Sequence, residues 1–91
     1  MITISSFEKL AARFNNVPVP KDLTFADAKR FLEHYGCVFT NNSGGSHYAV
    51  KHSGIRDTII LPRHAHQALK RYNVSQILEF VDKIEAQEED K

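Results

Sequence analysis

The stretch from Cys37 to Pro62 constrains this chain more than any other, because it fits three β-rich runs between two tight turns. Cys37 to Thr40 is β-branched and aromatic in character, and Asn41-Asn42-Ser43-Gly44-Gly45 follows as a cluster of residues that tolerate positive φ. Ser46 to Ser53 reads as a second strand, whose alternation puts Tyr48 and Val50 on one face and His47, Ala49 and Lys51 on the other. Ser53-Gly54 makes the next turn, and Asp57 to Leu61 forms a third strand that Pro62 closes, with Ile59 and Leu61 toward the core. Strands joined so closely run antiparallel, so the segment predicts a meander.

Helical periodicity surrounds it. Phe7, Leu10, Ala11 and Phe14 recur at i, i+3, i+4 and i+7, with Ser6 as the expected cap. Pro18 and Pro20 make Val17 to Leu23 a connector. Thr24 with Asp27 has capping-box spacing ahead of the stripe Phe25, Ala28, Leu32 and Tyr35, and Gly36 suits a left-handed stop. After Pro62 no period is clean up to Tyr72, where an irregular loop or a helical turn over Ala65 to Leu69 is expected. Asn73 and Gln76 then resemble a capping box before Val74, Ile77, Leu78, Val81 and Ile84. The order is α-α-β-β-β-α, an α+β design with a three-stranded antiparallel sheet and helices packed on one face. The other face, carrying His47 and Lys51, is left open for a ligand, a nucleic acid or a protein. A single domain is expected over residues 1–84, with an N-terminal helical extension over 1–23. Residues 85–91 form an acidic tail expected to fray and stay mobile.

At 91 residues the chain has room for one core, and 42% hydrophobic against 25% charged residues argue against disorder. No apolar run approaches a membrane span and no signal-like N-terminus is present, so the expected location is the cytoplasm without membrane attachment. Cys37, the lone cysteine, excludes an internal disulfide and a cysteine-based zinc cluster. The formal net charge of +1 conceals an uneven distribution: between Gly45 and Tyr72 the bases are Lys51, Arg56, Arg63, Lys70 and Arg71, the only acid is Asp57, and four of the five histidines lie there. Such clustering suits a surface that meets a polyanion, although the same charges scattered over several faces merely keep a domain soluble.

The run Gly44-Gly45-Ser46-His47-Tyr48-Ala49-Val50-Lys51-His52 resembles the glycine-serine-histidine signature of the HicA toxins. Tyr35-Gly36 before the first strand, Ile59-Ile60-Leu61-Pro62-Arg63-His64, and Leu69-Lys70-Arg71-Tyr72 leading into Ile77-Leu78-Glu79-Phe80-Val81 match the family's order of elements. Phe7-Glu8-Lys9-Leu10 and Pro20-Lys21-Asp22-Leu23-Thr24-Phe25 look like a branch with a longer N-terminus. One departure is Cys37, where many members carry an aromatic residue. The resemblance implies a fold similar to the double-stranded-RNA-binding domain and metal-independent cleavage of mRNA without a cofactor. It also implies a single essential histidine, carried over onto His47, a cognate HicB-type antitoxin, and a free toxin that is monomeric.

The chemistry agrees with that implication. RNA carries its own nucleophile in the 2′-hydroxyl, so a ribonuclease needs a base, a cationic environment for the phosphorane and a proton for the leaving oxygen. Imidazole as a side-chain type titrates at ~6.5, which suits the base. The candidate RNA-binding residues are Gly45, Ser46, Lys51, His52, Arg63, His64, Lys70 and Arg71, the glycine by letting backbone approach and the cations by charge. A histidine here can also simply tolerate a strand start, and adjacent strand residues point to opposite faces, so Ser46 with His47 is no hydrolase triad. A metal site on His52, His64 and His66 lacks an acidic or cysteine ligand nearby. The phenylalanines are read mainly as core. Two other classes fit the same surface: a module that binds double-stranded RNA without cutting it, and a protein-interaction domain that pairs through its exposed sheet face or edge.

Overall fold

The computed structural model describes residues 5–41, 44–64 and 67–89. Two short helices, α1 (Ser6–Phe14) and α2 (Phe25–His34), precede strands β1 (Val38–Thr40), β2 (His47–His52) and β3 (Ile55–Pro62), and the long helix α3 (Arg71–Glu89) closes the order. The strands form one antiparallel sheet in the order β1-β2-β3. All three helices gather on one side, as the patterning predicts.

Each early helix is set by its ends. The α1 cap is Ser5, one residue before the expected Ser6: its hydroxyl accepts from the Glu8 N–H while the Glu8 carboxylate accepts from the Ser5 N–H. Thr24 and Asp27 make the same reciprocal box at α2. Gly36 stops α2 at φ 86°, its N–H donating to the Glu33 carbonyl and that of Cys37 to the Leu32 carbonyl, so both late carbonyls are satisfied. A Cβ at Gly36 would rest in ordinary van der Waals contact with the His52 ring, 3.7 Å from its Nε2.

The core lies between the sheet and the helices. Phe14 and Phe31 stack with ring centroids 4.5 Å apart, joining α1 to α2, and Phe25 brings α2 against Phe39 and Tyr48. Val50 and Leu61 are buried in the sheet beneath the buried α3 stripe of Val74, Ile77, Phe80, Val81 and Ile84.

Between β2 and β3 the register carries a bulge. His52 faces Ile55 across the turn, yet Val50 faces Ile59, Tyr48 faces Leu61 and His47 faces Pro62. Lys51 alone therefore spans the same length as Arg56, Asp57 and Thr58. A regular ladder from this turn would set Asp57 opposite Val50, placing a carboxylate in the core row. Two extra residues in β3 put Ile59 there instead. The displaced Asp57 reaches out to α3, where the Lys83 Nζ donates to it at 2.6 Å.

The structure corrects two helix boundaries. α3 starts at Arg71, and Asn73 is a buried residue of its first turn rather than its cap: its side-chain oxygen accepts from the Lys70 N–H. α3 also continues beyond Ile84 to Glu89, so the segment expected to fray is helical over most of its length. Its Gln87 side chain lies over Gly54, where a Cβ would meet Gln87 Oε1 at 2.5 Å. Of the turn expected over Ala65 to Leu69, residues 65 and 66 lie outside the described residues; the Gln67 N–H donates to the His64 carbonyl, and Leu69 is tied to the connector through its N–H to the Leu23 carbonyl.

Candidate functional site

β2 begins at His47, and the alternation that buries Val50 turns His47 to the open face, where it is exposed. Because His47 pairs with Pro62, the chain leaving β3 must pass beside it. Proline cannot continue the ladder as a donor, but the Arg63 N–H donates to the Ser46 carbonyl at 2.6 Å and holds the exit in place. His64 follows, its ring centroid 6.4 Å from that of His47 and its plane nearly perpendicular at 84°.

Two clefts meet at this point. One, of about 380 Å³, is lined by His47, Ile60, Pro62, His64, Lys70, Tyr72 and the start of α3. The other, of about 890 Å³, lies toward the N-terminus of α2 and is lined by Gly44, Gly45, Ser46, Tyr48, Arg63 and His64 among others. His64 and Gln67 border both. Both volumes fall within the ~300–1,000 Å³ usual for small-molecule sites. No carboxylate lines either cleft among the described residues.

In the larger cleft the loop before β2 is braced by Asn41, whose amide donates to the Gly45 carbonyl at 2.5 Å and whose oxygen accepts from the Gly44 N–H at 2.8 Å. Gly44 sits at φ 74°, which supplies the turn. Arg63 donates to the Tyr48 hydroxyl at 3.2 Å, and this hydrogen bond, with one from Asn41, draws the Tyr48 phenol below its ordinary value.

The structure thus gathers Gly45, Ser46, His47, Arg63, His64 and Lys70 around one region. It does not gather the rest. Lys51 shares the open face, but a strand rise of ~3.3 Å per residue puts it roughly 13 Å along β2 from His47. His52 lies at the opposite end of β2, where its Nδ1 accepts from the Gly54 N–H and its ring backs Gly36, so it serves the turn. Arg71 borders a separate depression with Val19 and Pro20. His66 lies outside the described residues, and among the described residues no three potential ligands cluster to hold a metal ion. Tyr48, Asn41, Gln67 and Tyr72 are additions the sequence reading did not assign to the site. The signal for Tyr48 was masked by its place on the core-facing row of β2, where it is only half-buried.

Antiparallel strands under a layer of helices, with an exposed histidine beside Arg63 and His64, define a small α+β domain with one sheet face left uncovered. The family model of the HicA toxin of bacterial toxin-antitoxin systems matches residues 25–81, more than half of the chain and everything from α2 to the middle of α3. The chain belongs to the HicA toxin family, and membership implies an antitoxin partner. Neither a curated protein nor a solved structure gave a match to it. Among the described residues no helix is long and apolar enough to cross a membrane.

Proposed function

We propose that this toxin is a metal-independent endoribonuclease that cuts messenger RNA by activating the RNA's own 2′-hydroxyl, with His47 as the general base. The observation that supports this is an exposed imidazole on the rim of a nucleotide-sized cleft that Lys70 lines, with Arg63 in the adjoining cleft and no carboxylate among the described residues of either. A neutral imidazole there takes the 2′-hydroxyl proton, and the freed oxygen attacks the adjacent phosphorus. Lys70 and Arg63, flanking the clefts, offset the charge that builds on the phosphorane. Gly45, which lacks a side chain, allows close approach of the RNA backbone beside Ser46. With the nucleophile and the charge compensation both provided, the reaction needs no metal-bound water. A HicB-type antitoxin that covers the open face restrains the activity in the cell.

The test is expression of the wild type beside His47→Ala, with RNA from both cultures mapped for ends. Wild type is expected to arrest growth and leave 2′,3′-cyclic phosphate and 5′-hydroxyl ends, undiminished by chelator, while His47→Ala does neither. Equal arrest by both proteins removes His47 from the mechanism. Purified wild type that binds RNA with steep salt dependence but leaves it intact makes the domain a binding module instead.

A further inference from the structure

We infer that His64 is the second catalytic residue of this site, the general acid that protonates the leaving 5′-oxygen; the inference rests on the reading of the site as a ribonuclease and departs from the single essential histidine that the resemblance implies. The reaction above ends with an alkoxide unless a group on the far side of the phosphorus supplies a proton. Rings whose centroids lie 6.4 Å apart are too distant to bond to one another, yet near enough for one phosphodiester seated over the pair to meet both. Proton transfer then requires one imidazole nitrogen within roughly 2.6–3.2 Å of the attacking oxygen and the other within the same reach of the leaving oxygen. The placement is built into the fold. His47 is fixed by the β2 ladder, and His64 by the Pro62 pairing and the Arg63-to-Ser46 bond two residues and one residue before it. His64 also borders both clefts, so a strand crossing from one to the other passes it.

The alternatives on the same walls are weaker donors. The charged and titratable groups lining the two clefts are His47, Tyr48, Arg63, His64, Lys70 and Tyr72, with no carboxylate among the described residues. Guanidinium, ammonium and phenol as classes hold their protons too firmly for efficient transfer near neutrality, whereas imidazole titrates there. Tyr48 is moreover engaged with Arg63.

The proton balance closes. The 2′-hydroxyl gives its proton to neutral His47, the 2′-oxygen bonds to phosphorus, the phosphorus–5′-oxygen bond breaks, and the His64 imidazolium gives its proton to that oxygen. The products are a 2′,3′-cyclic phosphate and a 5′-hydroxyl, and the histidines return to their starting forms by exchange with water.

The experiment compares two short RNAs of one sequence that the wild type cuts, one natural and one with sulfur in place of the bridging 5′-oxygen at the cleaved bond. A thiolate leaves without a proton. His64→Ala and His64→Gln are expected to lose about 10²–10⁴-fold on the natural RNA and to recover most of it on the sulfur RNA, whereas His47→Ala stays impaired on both. The wild-type bell in kcat/KM against pH should lose its alkaline limb in the His64 variants. Equal losses on both RNAs, or no loss, overturn the role of His64, as does sulfur rescue of Tyr48→Phe in its place. If His47→Ala retains full activity the base assignment fails independently, and if the wild type cuts no RNA at all both readings fall together.

Discussion

At the scale of single residues, burial and position decide which groups are available for chemistry. Cys37 sits next to β1 and is only 6% exposed, and desolvation pushes its thiol up to about 11. The unfolded chain gives up that proton first, so as pH rises from roughly 8.5 toward this value the folded state holds the extra proton and loses stability. The thermal midpoint of wild type should fall more steeply over that window than that of Cys37→Ala, and native protein should resist alkylation until it unfolds; a thiol that reacts at the rate of a free peptide contradicts the burial. His47 and His64 present the opposite case, exposed imidazoles on a cationic surface. The His47 side of the pair was legible in the sequence, because strand alternation with Val50 inward leaves His47 outward. Asn73 was misread for an equally specific reason: Asn-x-x-Gln has the spacing of a capping box, but here the asparagine reaches backward to Lys70 instead of forward.

At the scale of elements, the helices were legible because their apolar stripes are local, although of their caps only the Thr24–Asp27 box was read correctly, and their energetics follow from the same stripes. Phe14 is fully buried and stacked on Phe31, so Phe14→Ala should cost roughly 3–5 kcal/mol in denaturant titration. A loss under 1 kcal/mol would mean that α1 is not part of the cooperative core. The β2–β3 pairing was not legible, since a two-residue turn at Ser53-Gly54 points to a regular ladder with His47 opposite Ile60. The bulge replaces that ladder because Asp57 is unfit for the core row. Asp57→Val removes the objection, and the regular register then becomes competitive, carrying Pro62 and His64 roughly 7 Å away from His47 at a rise of ~3.3 Å per residue. The expected result is a folded variant with doubled amide resonances along β2 and weakened RNA cleavage although both histidines are intact. A single set of resonances with the wild-type cross-strand contacts would show that other contacts hold the register.

At the scale of the whole molecule, the helices occupy one side of the sheet, and His47, His64, Arg63 and Lys70 gather at the His47 end of β2, so binding should be electrostatic and directional. With cleavage abolished by His47→Ala, affinity for single-stranded RNA should fall steeply with salt, and adding Lys70→Ala should reduce the log–log slope by roughly 0.7. An unchanged slope places Lys70 outside the path of the phosphates. The open face also exposes two apolar side chains, Val38 opposite Lys51 and Ile60 opposite Ala49. The kink near the β2–β3 turn has an evolutionary side as well. A toxin gene is easily silenced by mutation, and the hits need not cluster around His47: a screen for harmless survivors should recover changes at Arg56 to Thr58, near the opposite end of the hairpin, because those three positions dictate which residues become neighbours of His47.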